Sequence, residues 1–76
     1  MSNENNAAKI TAPEYAVSAV RSAFRAELSA GAGIYCVGHD PGDEDVIEEW
    51  FFEVRDGRRV IARANVSESH VEIIDR

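Results

Sequence analysis

The sequence predicts a two-layer α+β fold: one N-terminal helix packed on one face of a three- to four-stranded antiparallel sheet, an αββββ meander. Three observations carry this expectation. Residues 12–30 hold a helical stripe of apolar side chains between a marked start and a glycine stop. Residues 34–75 alternate apolar and polar side chains with the period of a strand. A lone helix with so narrow a stripe gains most of its stability from packing, and in a chain of 76 residues its partner is its own sheet.

Residues 1–9 are polar and Asn-rich and read as a frayed tail, leaving residues 10–76 as one α+β domain. Thr11-Ala12-Pro13-Glu14 fits a capping box, with Ile10 and Tyr15 in the positions of a hydrophobic staple. Pro13 suits a first turn, where its missing N–H goes unused. Val17, Val20, Phe24 and Leu28 form the buried stripe, with Ala16 and Ala23 beside it, and Gly31 ends the helix. Arg21, Arg25, Ser18, Ser22 and Ser29 share the solvent side.

Strands are expected at residues 34–39, 47–54, 58–66 and 71–75, with the Asp40-Pro41-Gly42 punctuation opening a loop between the first two. A three-residue loop, Arg55-Asp56-Gly57, pairs Phe52 with Val60 and Trp50 with Ala62. On the reverse face it sets Glu53 against Arg59, Phe51 against Ile61 and Glu49 against Arg63, so opposite charges meet. A turn through residues 67–70 then places Val66 against Val71 and Ala64 against Ile73. Ala62 and Ala64 are small where the helix crosses, leaving room for Phe24 and Leu28. Trp50, Phe52, Val60, Val66, Val71 and Ile73 surround them.

Composition narrows the function classes. The net charge is −6, which disfavours nucleic acid and anionic membranes as partners. A single cysteine, Cys36, has no internal disulfide partner, and a secreted domain of this size is usually stapled, so a reducing cytoplasmic location is expected. No apolar run approaches the roughly 18–20 residues that span a bilayer. No cofactor is expected. Cys36 and His39 have Cys-x-x-His spacing, yet a closed zinc site needs four ligands, and residues three apart on a regular strand point to opposite faces. Asp40, Asp43, Glu44 and Asp45 do not match the ligand spacing of a calcium loop. The serines lack a neighbouring base, and Glu48 and Glu49 face opposite ways on a strand, so no enzymatic activity is expected.

Two features point towards binding. Phe51, Ile61 and Ile74 are expected on the reverse sheet face, framed by Glu49, Glu53, Arg59 and Arg63, an apolar centre with a polar rim. Residues 40–53 hold seven carboxylates and no basic residue, and Asp43, Glu44 and Asp45 head that run, suited to steering a basic partner. The expected function is therefore a small acidic module that binds a partner protein, as an inhibitor or immunity-type antagonist. The alternative is a structural homodimerisation domain, joined by sheet-on-sheet packing, of a bacterial or phage protein with no activity of its own.

The Trp-Phe-Phe-Glu-Val strand, the Arg-Asp-Gly turn and the final Val-Glu-Ile-Ile strand, taken in that order after a helix, resemble small cystatin-like and PepSY-type α+β domains. The resemblance covers residues 10–75 and implies an inhibitory or protein-binding module. The Val-Asp-Ala…Thr-Gly pattern of PepSY repeats is replaced here by Asn65-Val66-Ser67-Glu68-Ser69, and no functional residue is carried over.

Overall fold

The structure is a computed structural model that describes residues 10–68 and 70–75. The expected tail at residues 1–9 lies outside them. The element order is α1 (Glu14–Ala23), α2 (Arg25–Ser29), β1 (Gly33–Asp40), β2 (Glu49–Asp56), β3 (Arg59–Ser67) and β4 (His70–Asp75). The four strands form one antiparallel sheet in the order β1-β2-β3-β4, each hydrogen-bonded to its sequence neighbour, with α1 packed against β3 and β4. The α+β arrangement, the four-stranded antiparallel sheet and the packed helix are as expected.

The helix departs from expectation at three points. Its N-cap is Pro13, extended at φ −69° and ψ 159°, with no side-chain hydrogen bond, so the Thr11 capping box does not form. The physical reason lies in Pro13 itself. A cap at Thr11 would make Ala12 helical, and a residue preceding proline is pushed out of that region. The Pro13 carbonyl instead accepts from the Ala16 and Val17 amides, each at 3.1 Å. Ala12 and Val17 then occupy the staple positions and both pack on the core, while Tyr15 is exposed. Second, one long helix becomes two, because Phe24 adopts φ −118° and ψ 34° and kinks the axis. Third, the kink leaves Leu28 half-buried and outside the core cluster. The buried stripe is Ala16, Val20 and Phe24, one residue per turn.

The stop is where Gly31 predicts it. The Gly31 amide donates to the Leu28 carbonyl and the Ala32 amide to the Glu27 carbonyl, the paired bonds of a Schellman ending, with Gly31 at φ +111°.

Ala16, Val20, Phe24, Phe52, Val54, Ala62, Ala64 and Val66 form the buried core. The Trp50 side of the sheet therefore faces the helix, although Trp50 itself is half-buried at its margin. Val66 pairs with Val71 and Ala64 with Ile73, as expected, but Ile73 stays 41% exposed at the sheet edge.

The β2–β3 hairpin differs from the expected one in loop and register. Its loop has two residues, Gly57 and Arg58, closed by the Asp56–Arg59 pair, with Gly57 at φ +66° in the leading position that glycine favours in such loops. Phe52 pairs with Ala64 and not Val60, and Trp50 with Val66 and not Ala62. The displacement is four residues along β3. An even slip keeps every side chain beyond the bulge on its expected face.

Each strand pair carries one bulge, with Val37, Ile61 and Ile74 as the residues left out of the ladders. At Ile61 the bulge inverts two side chains. Val60 pairs with Arg55 on the outer face, while Ile61 packs against the core. The expectation that Val60 points in and Ile61 out is thus reversed.

Candidate functional site

The outer face of the sheet is covered by no described element, and its polar side chains are tied into one line crossing all four strands. On β1, Tyr35 lies beneath the Arg55 guanidinium, 4.7 Å from the ring centroid. Arg55 on β2 donates from Nε and Nη2 to Glu53 Oε1, at 3.0 and 2.8 Å. The other oxygen of Glu53 sits 3.9 Å from Arg63 Nε on β3, its directly opposite residue. Arg63 Nη1 donates to Asp75 Oδ2 on β4 at 3.0 Å. Arg63 and Asp75 are exposed and Arg55 is half-buried, so each pair contributes only about 1 kcal/mol or less to folding. Their effect is orientation: two guanidiniums are held in place on the outer face.

Beside this line lies Phe51, whose ring covers Gly38 on the neighbouring strand. A Cβ on Gly38 would come within 2.9 Å of Phe51 Cδ2, so only a glycine lets the ring lie flat there.

Of the residues expected on this face, Glu53 and Arg63 stand together in the line, and Phe51 and Glu49 share its strand and face. Phe51 pairs with Asn65 and Glu49 with Ser67, so neither expected pairing with Ile61 or Arg63 exists. Ile61 turns inward onto the core and is no part of the face. Ile74 is an exposed bulge residue at the β4 edge. Arg59 pairs with Asp56 at the hairpin tip instead of with Glu53. Asp43, Glu44 and Asp45 lie at the opposite end of the sheet, in the loop between β1 and β2. Tyr35, Arg55, Asp75 and Val60 join the face unforeseen.

That loop is ordered by its own carboxylates. Asp43 Oδ1 accepts the Asp45 and Val46 amides at 2.8 and 3.0 Å, and Asp40 Oδ1 accepts the Gly42 amide at 3.0 Å. The Asp43 amide closes the turn onto the Val46 carbonyl at 2.8 Å. Among the described residues, the Glu44 and Asp45 side chains have no hydrogen-bond or ion-pair partner. Val46 and Ile47 beside them are 48% and 58% exposed.

On the inner face, the Val37 bulge brings Cys36 and His39 to the same side, contrary to the alternation of a regular strand. Cys36 pairs with Phe52 and His39 with Trp50. His39 stacks on Trp50 at 3.7 Å with 13° between the ring planes, and its Nε2 lies 2.7 Å from Glu48 Oε2. Trp50 Nε1 is shielded from water without a hydrogen-bond acceptor among the described residues. Burial raises the Cys36 pKa, partly offset by the contact from Sγ to the Gly38 carbonyl. Among the described residues no three His, Cys, Asp or Glu side chains converge as metal ligands, and no helix is long and apolar enough to cross a membrane.

A shallow groove of about 380 Å³ runs along the solvent side of the kinked helix, lined by Ser18, Arg21, Ser22, Arg25, Leu28 and Ser29.

Comparison with protein-family models, with curated proteins and with solved structures gave no match in any of the three.

Proposed function

We propose that this chain is a small acidic binding module that occupies the surface of a partner protein with the outer face of its sheet, as an inhibitor or immunity-type antagonist and not as an enzyme. One observation carries the reading: the helix covers one side of the sheet, while the other presents Tyr35, Phe51 and two oriented arginines with no described element over them. Aromatic and arginine side chains dominate protein interfaces. Holding them in place beforehand lowers the ordering cost of association. The Asp43–Asp45 stretch would steer a basic partner in its approach. The resemblance to cystatin-like and PepSY-type modules, read from the strand and turn sequences alone, implies the same protein-binding role.

The test is affinity capture from the source cell with the tagged chain, followed by mass spectrometry. Tyr35→Ser combined with Arg63→Glu changes two exposed side chains and leaves the core intact. Loss of the captured partner with an unchanged circular dichroism spectrum is expected; undiminished capture by the variant would refute the reading.

A further inference from the structure

The geometry points to a second binding surface, independent of the outer sheet face, whose occupant is a second copy of this chain: the Glu44-Asp45-Val46-Ile47 tip of one copy seats in the arginine-lined helix groove of the other. Both halves are present on one molecule, and each is incomplete alone. In the groove, Arg21 near the end of α1 and Arg25 at the start of α2 flank the kink at Phe24 and line the same surface with like charge. Among the described residues neither has an ion-pair partner, although the chain carries 14 acidic residues. Serine hydroxyls flank the pair, and half-buried Leu28 supplies an apolar floor.

The tip offers the complement. Glu44 and Asp45 are adjacent, exposed carboxylates, followed by the exposed aliphatic side chains of Val46 and Ile47. The bonds from Asp40 and Asp43 already hold the loop in shape, so little ordering remains to be done on contact. Two carboxylates would meet two guanidiniums, and an aliphatic pair would meet Leu28. Closed by a two-fold axis, the contact forms twice. The net charge of −6 on each copy opposes approach, but this repulsion is long-range. At physiological salt, where the screening length is about 8 Å, it weakens far more than pairs in direct contact.

Sedimentation equilibrium at physiological ionic strength tests this with a reciprocal charge exchange. The wild-type mass should rise with concentration from 8.4 kDa towards twice that value. Arg21→Glu with Arg25→Glu should hold the chain at monomer mass, and so should Glu44→Arg with Asp45→Arg. An equimolar mixture of the two variants should regain the doubled mass, because each then offers the groove the other's tip requires. All four positions are exposed, and circular dichroism verifies that the variants fold. A wild type that stays monomeric, variants that associate as the wild type does, or a mixture that fails to associate would each overturn the proposal. Added inorganic phosphate that binds the groove while the wild type remains monomeric would also overturn it, assigning the groove to a small anion. Partner capture through Tyr35 and Arg63 is untouched by any of these outcomes.

Discussion

Phe24 is among the largest fully buried side chains of the core. It sits at the helix kink, and its backbone both donates to Val20 and accepts from Leu28. It shares the core with Ala62 and Ala64, two small side chains on the helix-facing side of β3. Phe24→Ala should therefore lower stability by about 3–5 kcal/mol in urea titration, most of the margin of so small a domain. Cys36 makes the opposite kind of prediction, one about chemistry. Burial disfavours its thiolate, so the folded pKa lies above the unfolded one. The proton is held more tightly in the folded state. The associated stability is fully present below the unfolded pKa and is lost as pH rises through the folded one. At neutral pH, iodoacetamide should modify Cys36 more slowly in the native protein than in urea, and a native rate equal to the denatured one would contradict this.

At the scale of elements, alternation was a reliable guide to faces and a poor guide to register. Trp50, Phe52, Ala62, Ala64 and Val66 turn to the helix because a period of two survives any even slip, and the hairpin slipped by four. The β3–β4 register was legible only as far as the bulge, where Val66 meets Val71 and Ala64 meets Ile73. Bulges were not legible. An extra residue such as Val37, Ile61 or Ile74 has no composition of its own, and only the twist of the assembled sheet calls for it. The candidate face suffered accordingly: Glu53, Arg63 and Phe51 could be read from the sequence, while Tyr35, Arg55 and Asp75 depend on register. The helix start failed for a different reason, since a proline two residues beyond a favourable cap overrides that cap.

The inverted pair at the β3 bulge gives a sharp test. Ile61→Asp would place a carboxylate against the core and should cost at least about 2 kcal/mol. Val60→Asp, on the outer face beside Arg55, should cost under about 1 kcal/mol. Denaturation curves of the two variants decide between the observed bulge and a regular strand, which would reverse the order.

For the molecule as a whole, protection should grade across the sheet. β2 and β3 each have two strand neighbours, β1 and β4 only one, and α1 lies over β3 and β4. Native-state hydrogen exchange should find the slowest amides on β2 and β3, opening only with global unfolding. Amides on the free side of β1 should exchange by local fraying at lower cost. Uniform protection across all four strands would mean that the sheet opens as a single unit.

The two outermost strands have one further consequence. A meander that does not close into a barrel leaves two rims of unpaired backbone, each a template on which a foreign strand could grow. On this molecule both rims are interrupted near their middle or end, by Val37 on one side and Ile74 on the other. An incoming strand could follow either for a few residues before its spacing fell out of step. The irregularities that hide the register from the sequence thus also work against fibre growth along either rim.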